Sequence, residues 1–191
     1  MDSPLDTVTW PLRTDRLTIR RLAIDDLPAI WAYRRQPAAN EWMTREFPTE
    51  GAFRAHFEKP QSLATTLVLE RDATVIGDLM LKVEDGWAQE EVAVQAVAVH
   101  AELGWCLDEA HTGRGYAVEA VTELIRCCFD DLGLRRVSAN CFADNTPSWK
   151  LMEKVGMRRE IHSVRDGLHR TRGWLDGYGY ALLADEWRER A

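Results

Sequence analysis

The stretch from Glu109 to Leu132 constrains this chain more than any other. A glycine-rich turn, Thr112-Gly113-Arg114-Gly115-Tyr116-Ala117, opens into a run with apolar residues at Ala117, Ala120, Val121, Leu124, Ile125, Cys128, Phe129 and Leu132. Steps that alternate three and one place one helical face on a core. Glu119, Thr122, Glu123, Arg126 and Asp130 fall on the opposite face. Ala101 to Leu107 reads as a strand ahead of the turn. In a strand, glycine turn and helix, the free backbone N–H groups at the helix start can hold a phosphate.

Alternation marks further strands at Arg16–Leu22, at Leu67–Arg71 and Val75–Val83 around Asp72-Ala73-Thr74, and at Arg135–Phe142. The last two strands are expected at Arg158–Val164 and Arg172–Leu183, joined through Asp166-Gly167. Val92 to Val99 also alternates, either as one long strand running into Ala101–Leu107 or as two strands with a bulge. Residues 84–91 read as a loop. Helices are expected from Asp26 to about Arg35 and over Glu50–Glu58. A third follows Thr146, placed as the cap ahead of Pro147, and ends at Gly156. Pro37 to Thr49 reads as irregular. Strands interrupted by helices, without repeats or linkers, indicate one mixed α/β domain over residues 1–191.

A formal net charge of −7 lacks the basic face of a nucleic-acid binder. It suits a neutral or cationic partner. Cys106, Cys127, Cys128 and Cys141 have neither disulfide nor zinc spacing and read as reduced core thiols, with no metal site expected. No leader or membrane-length apolar run is visible, so a cytoplasmic protein without membrane association is expected. Among phosphate-binding turns, the Walker pattern lacks its lysine, and the dinucleotide fingerprint meets Val118 where its third glycine belongs.

With Asn145-Thr146-Pro147-Ser148 following it, the turn resembles the Q/R-x-x-G-x-G/A signature of GCN5-related N-acetyltransferases (GNAT), with Thr112 departing from the usual Gln or Arg. The likeness extends over nearly the whole chain. Leu12 to Arg20, Val75-Ile76-Gly77-Asp78-Leu79, Ala101-Glu102-Leu103-Gly104-Trp105, Gly115 to Ala120 and Asp176 to Trp187 follow the order of the RimJ/RimL ribosomal-protein-alanine branch. The resemblance implies an α/β (α+β) GNAT-like domain. Its central sheet would be mixed and mostly antiparallel, splayed between its central strands, with helices on both faces.

The implied activity is acetyl transfer from acetyl-coenzyme A to a primary amine, by direct attack in a ternary complex. Thr112, Gly113, Arg114, Gly115, Tyr116 and Ala117 would hold the pyrophosphate. The backbone of Leu103, Gly104 and Trp105 would face the acyl oxygen. Glu102 would serve as base, Asn145 would hold the pantetheine arm, and Ser148 would meet the sulfur. The acceptor favoured by the branch is a protein N-terminal α-amine, and its rival is a small amine of aminoglycoside or polyamine type. A reading of another class is a non-catalytic coenzyme A-binding protein. The sequence is as compatible with a homodimer as with a monomer.

Overall fold

The computed structural model describes residues 3–190, and the chain divides into two compact units. One unit comprises the chain up to Leu81 together with Trp105–Glu123. The other comprises Lys82–Gly104 and the chain from Leu124 onward.

In the first unit, β1 (Leu12–Arg13), β2 (Thr18–Arg21), β3 (Thr66–Arg71) and β4 (Thr74–Glu84, up to Leu81 here) pair antiparallel in that order. Asp72 and Ala73 join β3 to β4 with φ of 49° and 60°. Two left-handed residues twist a two-residue loop to match its strands. Gly77 on β4 is required by close approach, since a Cβ there would lie 2.7 Å from the Cys106 carbonyl oxygen.

Ahead of the glycine turn this unit carries the α-helices α1 (Leu27–Arg34), α2 (Pro37–Asn40), α3 (Glu50–Phe57) and α4 (Pro60–Thr65). The short α2 lies inside the stretch expected to be irregular, and α4 was not expected. Each carries proline in its first turn, where the missing N–H leaves no bond unmade. Leu27, Ile30, Tyr33, Phe53, Phe57 and Val68 form the core beneath these helices. Within it, the Arg34 guanidinium grips Asp78 through two bonds of 2.9 and 2.7 Å, and the Tyr33 hydroxyl donates to Asp78 at 2.7 Å. Burial pushes the Tyr33 phenol well up, and the Asp78 charge adds to the shift.

In the second unit, the start of β5 (His100–Leu107) pairs in parallel with β6 (Arg136–Phe142). Strand β8 (Gly173–Leu183) pairs antiparallel with β6 and with the edge strand β7 (Arg158–His169). The neighbour order β1-β2-β3-β4-β5-β6-β8-β7 makes an eight-stranded, mixed, mostly antiparallel sheet. Helix α6 (Thr146–Lys154) lies where expected, and α7 (Ala184–Arg188), which was not expected, follows β8. Gly156, at φ 85°, ends α6 where expected. The Met157 N–H returns to the Met152 carbonyl, the long bond of a left-handed helix stop.

The helix after the glycine turn is α5 (Tyr116–Arg126), shorter than its apolar stripe. Cys127–Asp131 continues it as a π-helical turn, so vicinal Cys127 and Cys128 are both buried. Residues 92–99 are not a strand in either expected form; Glu90–Ala96 is 3-10 helical. Of the valines that set the alternation, Val92, Val94 and Val97 face solvent, Val94 at 81% exposure. The loop is closed by Gly86 N–H to the Ala96 carbonyl at 2.7 Å and by Ala98 N–H to Asp85 at 2.8 Å. Ala98, at φ 51°, breaks any extended run before His100. Asp166-Gly167 likewise does not join the last strands. It lies in an irregular stretch of β7, whose register with β8 slips between Ser163 and Gly167, and the hairpin turns after His169 instead.

Candidate active site

The glycine turn lies in the first unit. Asp108 caps a short 3-10 turn, Glu109–His111, and the Thr112 hydroxyl donates back to the Glu109 carbonyl at 2.9 Å. Gly113 and Gly115 then adopt φ of 72° and 81°. Any other residue type there would be strained. No backbone N–H from Gly113 to Ala117 donates to another described residue. These donors stand at the positive end of α5, an arrangement suited to an anion. Arg114 is exposed, and its guanidinium has no partner among the described residues. The His111 Nδ1 atom is buried beside the turn, also without a partner.

A clamp not foreseen from the sequence fixes this turn. Glu119, expected on the solvent face of the helix, accepts from the Thr14 hydroxyl at 2.5 Å and the Arg16 backbone N–H at 3.1 Å. It also accepts from Arg16 Nε at 2.7 Å. Arg16 Nη1 donates to the Arg114 carbonyl at 3.1 Å, inside the turn itself. The Tyr116 ring is buried, with the Arg16 and Arg71 guanidinium carbons 4.7 and 5.2 Å from its centroid. Burial resists ionisation of Glu119, but the bonds from Thr14 and Arg16 outweigh it and hold the carboxyl below its ordinary value. An acid in the first turn of a helix is a sequence signal in its own right. Its partner, 105 positions away, is not.

The second unit holds the side chains that the sequence singled out, Glu102, Asn145 and Ser148. Strand β5 stays in register with β6 over three pairs, His100↔Arg136 to Glu102↔Ser138. The ladder ends there, while β6 stays paired to β8 as far as Phe142. Glu102 is therefore the last β5 residue paired to β6, and the strand continues through Leu103, Gly104 and Trp105 without a β6 partner. Glu102 is half-buried and accepts from the Asn140 side-chain amide at 3.1 Å. The Lys82 ammonium is raised chiefly by its bond to Glu84, with a smaller contribution from Glu102. The His100 imidazole sits 3.1 Å from the Ser138 hydroxyl. Burial is the main reason its pKa is lowered, with Arg136 next. Asn140 was missed because only the parallel register brings it to Glu102.

Asn145, not Thr146, is the N-cap of α6, with its side-chain oxygen accepting the Ser148 N–H at 3.4 Å. Its Nδ2 group has no partner among the described residues. Burial pushes the Cys141 thiol up to about 11, and the nearby Ser148 hydroxyl offsets only part of the rise. Cys106 is likewise pushed up to about 11 by burial. Both stay protonated near neutrality, as poor nucleophiles. Among the tryptophans, Trp31 packs on Phe53 with ring centroids 5.4 Å apart, whereas Trp174 is 59% exposed. The described residues include no cluster of His, Cys, Asp and Glu that could hold a metal, and no helix long and apolar enough to cross a membrane.

Comparison with known proteins places this geometry in context. Residues 16–158 match the family described as Acetyltransferase (GNAT) domain. The chain is 28% identical over 177 residues to "Uncharacterized N-acetyltransferase YnaD" of Bacillus subtilis (strain 168), covering 92% of this chain and 98% of that protein. A GNAT-family acetyltransferase from Bacillus anthracis superposes with a TM-score of 0.78 at 26% identity, covering 93% of this chain and 100% of that one. RimL, a ribosomal L7/L12 α-N-protein acetyltransferase solved with coenzyme A, shares the fold at a TM-score of 0.77. It is 16% identical and covers 91% of this chain and 97% of its own.

Proposed function

The chain belongs to the GNAT acetyltransferase family and is an N-acetyltransferase of that type; from this premise we propose that it acetylates a protein N-terminal α-amine, using acetyl-coenzyme A directly. The observation that carries the cofactor half is the row of unpaired N–H groups at Gly113–Ala117. The helix dipole alone contributes ~0.3–1 kcal/mol to holding an anion. Direct hydrogen bonds from those amides therefore carry most of the pyrophosphate affinity, and His111 and Arg114 stand by as further donors.

Transfer requires a neutral amine. Near pH 7.4 roughly a fifth of an α-amine (pKa about 8) is neutral, against about a thousandth of a lysine (pKa about 10.4). In this reading the amine nitrogen bonds the acetyl carbon and the carbon–sulfur bond breaks. Glu102 takes the nitrogen's proton directly or through water, held in place by Asn140. The leaving sulfur takes up a proton, and the Ser148 hydroxyl stabilises it. Backbone N–H groups of Leu103–Trp105 face the acyl oxygen, and the free Asn145 amide steadies the pantetheine arm. The protein works as one domain in the cytoplasm, where its free cysteines stay reduced.

The test is a thiol-release assay with acetyl- and succinyl-coenzyme A against N-terminal peptides, polyamines and aminoglycosides. Peptide turnover with acetyl-coenzyme A is expected. Turnover on polyamines or aminoglycosides alone would replace the acceptor, and binding without turnover on any amine would replace the activity. Ser148→Ala should lower kcat by about 10²-fold, and unchanged turnover would remove its role.

A further inference from the structure

Away from the residues assigned to acetyl transfer, the first unit carries a cavity of about 370 Å³ between the Arg45–Pro48 segment and α3. That volume is in the range of small-molecule sites. Its apolar side is made by Phe47, Pro48, Ala52 and Ala55. Phe47 is fixed in an aromatic cluster, 5.3 Å from buried Phe53 in an edge-on contact and 6.1 Å from Phe57. The apolar wall is therefore rigid before any ligand arrives.

The polar side is made by Arg45, His56 and Lys59. Arg45 Nη1 lies 3.4 Å from His56 Nδ1. A guanidinium has no lone pair to accept with, so Nδ1 must supply one, and the imidazole proton sits on Nε2. Burial first, then Arg45 and Lys59, lowers the His56 pKa. Near neutrality the three side chains are thus two cations and a neutral N–H donor. Glu58 is paired with Arg54 at 2.7 Å, and Glu46 is the one acid lining the cavity, against Arg45 and Lys59.

We propose that this cavity is a binding subsite for a carboxylate carried on a small apolar body, with Arg45, His56 and Lys59 holding the anion and Phe47 packing against the body. Arg45 supplies the paired donors that match a carboxylate, His56 adds an N–H, and Lys59 adds a point charge. The site is independent of the acetyl-transfer reading, since it uses none of the residues assigned there.

The test is an NMR titration of the His56 ring in the full-length protein with benzoate, with benzamide as its neutral isostere and inorganic phosphate as an anion lacking the apolar body. Saturable benzoate binding that raises the His56 titration midpoint by about one unit is expected, since an added anion favours the imidazolium. Arg45→Gln and Lys59→Gln change exposed side chains and should keep the wild-type circular dichroism, while each weakens benzoate about tenfold. Absence of a saturable response to benzoate overturns the site. Benzamide binding as tightly as benzoate overturns the role of the charge, and phosphate binding more tightly overturns the role of the apolar body.

Discussion

Around the glycine turn the groups proposed to meet the cofactor are backbone N–H donors, whereas those proposed along β5, β6 and α6 are side chains. Gly113 and Gly115 matter for their φ, and the Thr112 hydroxyl is turned back onto Glu109. Glu102 and Ser148 would act through their functional groups, and Glu102 is held by Asn140. A backbone site tolerates change in its side chains but not in its dihedral angles. A side-chain site behaves the other way round.

Substitutions can break that contrast. The largest effect is expected for Glu102→Gln, which keeps shape and removes the proposed base. Its kcat should fall by about 10²-fold or more, with acetyl-coenzyme A affinity unchanged by calorimetry; a loss of affinity instead would move Glu102 from chemistry to binding. Gly115→Val should raise the acetyl-coenzyme A Kd about tenfold or more, because a β-branched residue in the left-handed region costs at least ~1–2 kcal/mol. Unchanged affinity there would show that the turn is not the anchor.

A smaller loss should follow from Glu119→Gln, which weakens the clamp on the turn and raises KM about threefold to tenfold through weaker charge-assisted bonds. Glu119 also gives the comparison a pH axis. Its folded-state pKa is depressed, so its stabilisation is present above the ordinary carboxylate range and lost as pH falls through the lowered value. Urea midpoints measured from neutral into acid should fall less steeply in Glu119→Gln than in the wild type. The smallest effect belongs to Thr112→Ala, expected to change the acetyl-coenzyme A Kd less than threefold. A tenfold loss would mean that side chains contribute at the turn after all.

Much of this was legible locally. The three-and-one stripe located α5, Asp72-Ala73 located the β3–β4 turn, and Gly156 located the end of α6. Each depends on residues within a few positions, where spacing and φ preference decide the outcome. The same local logic failed at residues 92–99, where alternating valines face solvent and a left-handed Ala98 closes a loop. It failed again at Thr146, because capping of α6 went to Asn145 one position earlier.

By itself, then, the sequence determined the glycine turn, the order of its motifs and the presence of Glu102, Asn145 and Ser148. Tertiary structure alone decided what holds them. Glu119 reaches Thr14 and Arg16 across more than a hundred residues, and Asn140 meets Glu102 only through the register of parallel strands. The Arg45–His56 contact likewise forms only once α3 has docked its phenylalanines. The physical reason is common to all three. A short-range pattern fixes backbone geometry, but which side chains meet depends on strand register and helix packing, which are set by burial over the whole chain.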